Sequence, residues 1–429
     1  YLVQALPDGP LKQRLQSCSQ GPFYRTDFSI AHRGAPLMFP EHSLQSYQAA
    51  ITMGAGVAEC DVVFTADKQL VCRHAQCDLH QTTDILLRPE LAAKCRQPFK
   101  AATADAPASA QCCTSDITLA EFSGLCARMD GVNSNADTVE QYLQGTPDWR
   151  TNLYNQCATP MTHRQSIQLF AKAGLKMTPE LKQPEVLMPY QGSFSQQHYA
   201  QQLVDEYKAA AVAPSQVFLQ SFNYQDIQYW LQHEPEFARQ AVWLDGRYET
   251  PGFDAMQPDS WQPSMAELKA AGLTIIAPPL WVLVTEQDGV IVPSAYAKAA
   301  RQAGLKIIAW SLERSRPLAG GADWYYQSLP TLANSDATVL QLLDVLAPGR
   351  LRLLAQGLGS VAIVVLFGMS LPASWDYVSF MKVEKTSYLK IRVDVLYAIY
   401  IVFVVAVIAR HLWQLGRIAR VWRQGPANP

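Results

Sequence analysis

The sequence predicts an α/β protein built as a TIM-type (β/α)8 barrel with a C-terminal membrane-helix segment. Short apolar runs alternate with helix-like stretches as far as about Leu329. Several helical stretches close on Ala-Gly, a helix stop signal, and a new apolar run follows at once. The rhythm persists for the length a barrel needs.

The apolar runs are FSIAHRG (28–34), AGVAECDVVFT (55–65), QLVCRHA (69–75), LKMTPELK (175–182), QVFLQSF (216–222), QAVWLDG (240–246), LTIIAPPLW (273–281) and LKIIAWSLE (305–313). Between most of them lie HSLQSYQAAITMGAG, HRQSIQLFAKAG, QQHYAQQLVDEYKAAA, SMAELKAAG and PSAYAKAARQAG. Repeated helix-glycine-strand units call for a parallel sheet. From Asp78 to Pro160 the rhythm breaks, and this stretch reads as an insertion over one end of the barrel.

The 429 residues, 49% hydrophobic and 17% charged, suit a folded protein, and a net charge of -2 speaks against a nucleic-acid partner. Of nine cysteines, Cys95, Cys112, Cys113, Cys126 and Cys157 fall in polar, loop-like sequence. Disulfides in an oxidising compartment explain them better than zinc does, since no C-x2-C pair recurs and no histidine has finger spacing. The insertion is therefore expected to be a disulfide-tied cap, and an odd count leaves at least one thiol unpaired. Tyr1-Leu2-Val3-Gln4 shows neither the basic start nor the apolar run of a secretory signal.

Residues 1–348 are expected to form the barrel domain, with its insertion at 78–160, and 349–429 a membrane-helix tail. VLYAIYIVFVVAVIA (395–409) approaches the roughly 20 residues of a span, and Arg392, Arg410, Arg417, Arg420 and Arg423 flank it. LLAQGLGSVAIVVLFGMSL (353–371) is the weaker candidate.

Residues ending the strands of a parallel barrel at its C-terminal face share one pocket. Here those are His32 and Arg33, Glu59 and Asp61, His74, and Glu180 and Lys182. Glu59 and Asp61, two apart on a strand, face the same way, while Cys60 faces away. A two-residue turn at Asp67-Lys68 would pair Thr65 with Leu70, Val63 with Cys72 and Asp61 with His74, placing His74 on the carboxylate face. A three-residue turn would put it on the other face. Glu59, Asp61 and Glu180 make an all-oxygen set suited to one divalent cation, Mg2+ or Ca2+. Arg33 and Lys182 add cations for phosphate oxygens, and His32 and His74 suit a general acid and base. Gly34 leaves room for a close approach.

HRG with PEHS behind it, then GAGVAECDVVFTADKQLVCRHAQCDLHQTTDIL and a later ELK, resembles the glycerophosphodiester phosphodiesterase family over roughly residues 27–329. The resemblance implies a TIM barrel that yields glycerol 3-phosphate and an alcohol. It further implies His32 and His74 as the acid/base pair, Glu59, Asp61 and Glu180 as metal ligands, and Arg33, Glu41 and Lys182 on phosphate or supporting the site. Ala75 and Lys68 depart from the pattern, which has aspartate and glycine there. The usual closing strand is also missing, so the last strand is incomplete or SVAIVVLFG replaces it. From about Leu354 the tail resembles the small membrane subunit of tripartite ATP-independent periplasmic transporters. The expected partners are a glycerophosphodiester and, through the tail, a membrane, with the enzyme domain periplasmic or extracellular. Two rival readings are an inactive ligand-binding ectodomain on a transporter-like anchor and a phospholipase D-like enzyme on intact lipids.

Overall fold

The computed structural model describes residues 2–18, 21, 23–150, 157–320, 323–346, 349–381 and 393–423. Each expected helix starts behind a small polar residue that satisfies an exposed amide of its first turn. Ser43 caps α1 (Leu44–Thr52), accepting from the Ser46 amide. Thr162 and Gln165 cap α2 (His163–Lys172) reciprocally, and Ser195 caps α3 (Gln196–Ala209). Ser264 with Glu267 does the same for α4 (Met265–Ala270), and Ser294 for α5 (Ala295–Gln302). Behind α2, Gly174 takes a φ of 68°, a left-handed turn that feeds the chain directly into the next strand.

The expected runs supply β1 (Ile30–Ala31), β2 (Val57–Phe64), β3 (Leu70–Cys72), β4 (Lys176–Leu181), β5 (Gln220–Ser221), β6 (Val242–Leu244), β7 (Ile275–Ala277) and β8 (Lys306–Ile307). Their hydrogen-bonded order is β1-β2-β4-β5-β6-β7-β8, with β3 hung on β2. All neighbours on that path are parallel, and only β3 is antiparallel. Every residue of β2 is buried, as a parallel strand covered on both faces requires. The fold is a TIM-type barrel whose curled sheet stays open at one edge: among the described residues, β8 and β1 share no main-chain pairing. SVAIVVLFG does not close the gap, because it is helical, inside α6 (Gly349–Phe380).

The turn between β2 and β3 differs from the two-residue expectation. The Thr65 amide donates to the Gln69 carbonyl at 3.0 Å, and Val63 pairs with Val71 and Val62 with Cys72. Ala66, Asp67 and Lys68 therefore form a three-residue turn, with Lys68 at a φ of 60°, where the family pattern has glycine. The Thr65 hydroxyl, which donates to Asp67 at 2.6 Å, braces it. Asp61 consequently faces Arg73, whose amide donates to the Asp61 carbonyl at 2.8 Å, and not His74.

The insertion packs around a core that includes Leu79, Ile85, Phe122 and Tyr142 together with Val63 of β2 and Val71 of β3. Disulfides Cys77–Cys113, Cys95–Cys112 and Cys126–Cys157 tie it. It rests on the C-terminal end of β2, where the Thr114 hydroxyl donates to the Phe64 carbonyl at 2.8 Å. A fourth disulfide, Cys60–Cys72, staples β2 to β3, and Cys18 is free and exposed.

The chain divides into two units, Tyr1–Leu342 and Leu343–Pro429. The second holds α6 and α7 (Val393–Arg423), whose Phe367 and Phe403 rings lie 6.2 Å apart. Among the described residues, Ile363–Phe380 is the helical stretch long and apolar enough to cross a membrane, while Ile401–Trp413 is shorter.

Two stability predictions follow from this architecture. Lys68→Gly relieves a left-handed backbone and is expected to stabilise the fold by roughly 0.5–1 kcal/mol; a lowered urea midpoint would contradict the turn described. Replacing Cys126 and Cys157 together by serine frees a segment of sequence separation 31. The expected loss is about 3 kcal/mol of unfolding free energy, read by urea titration, and an unchanged midpoint would argue against that bridge.

Candidate active site

The register of two strands builds the centre of the site. Glu59 and Asp61 alternate with Cys60 on β2, so both carboxylates face inward, and Asp61 lies directly beside Glu180 of β4. One oxygen from each of Glu59, Asp61 and Glu180 falls within 4.8 Å of the others, and all three residues are buried. Burial and the neighbouring Asp61 charge push Glu59 up to about 7. Burial, then Asp61 and Glu59, push Glu180 up to about 8 despite Lys182. Asp61 stays well below the usual carboxylate range: burial opposes this, but Lys182 and the His42 hydrogen bond outweigh it.

Cations and donors surround this cluster. Lys182 Nζ sits 2.6 Å from Glu180 and 4.0 Å from Asp61 Oδ1. Arg33 Nε lies 3.6 Å from Asp61 Oδ2, its Nη1 donates to Glu41 at 2.9 Å, and its amide donates to Glu59 at 2.8 Å. Gln220 Nε2 donates to the other Glu59 oxygen at 3.3 Å. Asp61 Oδ1 has no hydrogen-bond donor among the described residues. A buried oxygen without a donor, beside two acids shifted upward by crowding, is a donor set that fits a hard divalent cation.

Local backbone explains the His-Arg-Gly order. Arg33 has a φ of 60° and Gly34 one of 94°. A Cβ on Gly34 would fall 2.4 Å from Ser46 Oγ, so the close approach it permits is to α1. The Ser46 hydroxyl donates to the Arg33 carbonyl at 3.2 Å and accepts from the Ala35 amide at 2.8 Å, which locks the turn.

The two histidines differ. His32 pairs Nδ1 with Glu313 at 2.5 Å and has Nε2 3.9 Å from Glu59, leaving its side chain 21% exposed. Burial lowers its pKa, but Glu59 and Glu313 raise it further, and the net shift is upward. His74 follows β3 in an irregular segment, within electrostatic range of Arg33, Lys182, Asp61 and Glu41. Burial, then Arg33 and Lys182, hold it well below its ordinary value. His32 thus stands beside Glu59, while His74 carries the electrostatic influence of Asp61 and Glu41 although the expected register of β3 fails.

Glu41 is buried between two guanidiniums, Arg33 at 2.9 Å and Arg314 at 3.2 Å. Its carboxylate pairs with both cations. Sequence reasoning missed four neighbours: His42, Gln220, Glu313 and Arg314. His42 donates or accepts through Nε2 to Asp61 Oδ2 at 2.9 Å while Tyr47 holds Nδ1 at 2.8 Å. It stood in the quoted PEHS, directly behind Glu41, which was the available signal. Glu313 and Arg314 stood in WSLERS, just past the last run. Arg314 also reaches Asp130 of the cap at 3.5 Å.

Comparison with known proteins adds independent findings. Residues 32–329 match the model of the glycerophosphoryl diester phosphodiesterase family. A protein of Arthroderma benhamiae described as "Extracellular protein" is 45% identical over 224 residues, 51% of this chain and 90% of that one. "Probable glycerophosphodiester phosphodiesterase 1" of Mycobacterium tuberculosis is 51% identical over 47 residues, 11% of this chain and 17% of that one. An Oleispira antarctica phosphodiesterase solved with sn-glycerol-3-phosphate is 18% identical at a TM-score of 0.41, covering 66% of this chain and 83% of that one. With more than half of its length matched by one family model, and with the buried acids and both histidines inside that match, the chain belongs to the glycerophosphoryl diester phosphodiesterase family.

Proposed function

We propose that this chain hydrolyses glycerophosphodiesters to glycerol 3-phosphate and an alcohol, using one Mg2+ or Ca2+ ion and two histidines. The observation that carries the reading is the meeting of Glu59, Asp61 and Glu180 within 4.8 Å, buried, with His32 Nε2 3.9 Å from Glu59. Glu59, Asp61 and Glu180 would hold the cation, which when bound draws charge off the phosphate oxygens and acidifies a nearby hydroxyl.

The chain's own groups do the rest. Arg33, fixed by Glu41 at 2.9 Å, offers its guanidinium to phosphate oxygens, and Lys182 adds a second positive charge. Glu313 fixes the His32 ring through Nδ1 and turns Nε2 toward the carboxylates. One imidazole takes the proton of the attacking hydroxyl as the new P–O bond forms. The other protonates the alcohol oxygen as its bond to phosphorus breaks. Where the attacking hydroxyl is the glycerol one next to the phosphate, the pair then acts in reverse. One imidazole deprotonates a water that adds to phosphorus, and the other returns the proton to the glycerol oxygen as the phosphate ring opens to glycerol 3-phosphate. The two imidazoles are shifted in opposite directions, the sense in which an acid and base pair divides its roles.

Residues 1–348 form the enzyme domain in this reading, and 349–429 a membrane-attached tail; the apolar and unburied stretch Ile363–Phe380 supports that role. The likeness of the tail to a transporter subunit remains a reading of its sequence, since the family match ends at 329. Four disulfides and the relative described as extracellular support a site of action outside the cytoplasm.

His32→Ala and His74→Ala are each expected to lower kcat on glycerophosphocholine by roughly 10²–10⁴ with an unchanged circular dichroism spectrum. Full turnover in either variant would end the two-histidine assignment. Chelation should abolish hydrolysis and Mg2+ or Ca2+ restore it; the same ion should raise Tm in the native chain but not in Asp61→Asn. Activity indifferent to chelator would remove the cation from the mechanism, and hydrolysis confined to intact phospholipids would favour the phospholipase D-like reading.

A further inference from the structure

The cleft that starts at Glu180 and Lys182, about 480 Å3 in volume, continues away from the acids along Phe222, Trp243, Tyr248 and Glu249. Three of those four residues are aromatic. Phe222 keeps 37% of its surface exposed directly after β5. Its ring meets Trp310 edge-on at 5.7 Å. Trp281, Trp310 and Trp324 meet the Tyr248 ring at 6.0, 6.1 and 5.4 Å. Rings propped in this way are set in place before any ligand arrives.

The charges along the wall are unevenly committed. Arg247 stacks on Trp243 at 4.9 Å and is paired with Asp245 at 2.6 Å, so its charge is already matched. Lys182 is matched by Glu180. Glu249 is exposed at the rim and forms no ion pair among the described residues. Of the polar side chains there, the Ser221 hydroxyl donates to Asp226 at 2.9 Å and the Asn223 amide does so at 3.3 Å, while Gln183 and Thr250 also line the cleft. A cation with an apolar surface would find ring faces and a carboxylate, which is how aromatic sites hold quaternary ammonium groups.

We propose that this wall is the subsite for the leaving alcohol and that it selects a quaternary-ammonium alcohol of the choline type. The proposal rests on the hydrolytic reading above and names the substrate class within it. The phosphate would lie at Arg33 and Lys182, with the trimethylammonium group between Phe222, Tyr248 and Glu249.

The test compares kcat/KM of the full chain on glycerophosphocholine and glycerophosphoglycerol, whose alcohol is uncharged. The native chain should prefer the choline ester. Tyr248→Leu should lower the choline-to-glycerol ratio roughly tenfold, mainly through KM, and Tyr248→Phe should retain it. Glu249→Gln, at an exposed position, should lower the ratio a few-fold and decides the matter if Tyr248→Leu does not fold. Equal kcat/KM on both esters in the native chain, or a parallel loss on both in the variants, overturns the proposal and leaves the hydrolytic reading standing. Hydrolysis of neither ester overturns both.

Discussion

Asp61 stands directly beside Glu180 in the register of β2 and β4, with Glu59 one inward position away. Taking carboxylates out of water costs far more than packing returns, and crowding three together adds repulsion. The surrounding side chains answer that charge. Lys182 follows Glu180 on its own strand direction, Arg33 arrives on a left-handed turn, and His42 is held against Asp61 by Tyr47. Five carboxyl groups (Glu41, Glu59, Asp61, Glu180 and Glu313) lie among three permanent cations (Arg33, Lys182 and Arg314), an excess of acid that suits a bound divalent cation.

The same charges hold the two sides of the open sheet edge together. Main-chain pairing stops between β8 and β1, yet Ser311 and Glu313, just beyond β8, reach His32, just beyond β1, at 3.3 and 2.5 Å. A side-chain contact therefore joins the gap at the level of the site. The cap is tied into this net through Arg314, which touches both Glu41 and Asp130, and Asp130 is paired with Arg150 at 2.7 Å. Arg150 in turn donates to the Pro36 carbonyl, in the loop behind Arg33. Cap, gap and phosphate arginine are one electrostatic unit, so disulfides remote from the carboxylates still bear on how Arg33 is held.

Much of this was legible because it depends on short periods. All eight apolar runs contain strands and all five quoted stretches contain helices, since alternation, caps and terminal glycines are local signals. The i, i+2 spacing of Glu59 and Asp61 and of Glu180 and Lys182 made the acid cluster visible. What failed is what local signals do not set. QLVCRHA pairs antiparallel with β2, as the expected hairpin does, but across a three-residue turn and not a two-residue one. Glu313 and Arg314 meet His32 and Glu41 across 281 and 273 positions of sequence. Cys60 and Cys72 lay in strands and not in the loop set that suggested disulfides.

His74 lies just beyond the β2–β3 ladder, where strand alternation no longer sets its face. Alternation binds a residue to one face only while it stays in the ladder. The last bond of this ladder joins the Arg73 amide to Asp61. The buried Arg73 side chain then donates to the Cys72 and Glu41 carbonyls at 2.8 and 3.0 Å. Directly afterwards the Ala75 amide donates to Asp78 at 3.1 Å, and Cys77 is bonded to Cys113. The segment from Arg73 to Asp78 is thus anchored to the α1 approach on one side and to the cap on the other. That path, and not strand parity, sets where the backbone carries His74, because the Asp78 carboxylate accepts from the Ala75 amide directly behind it.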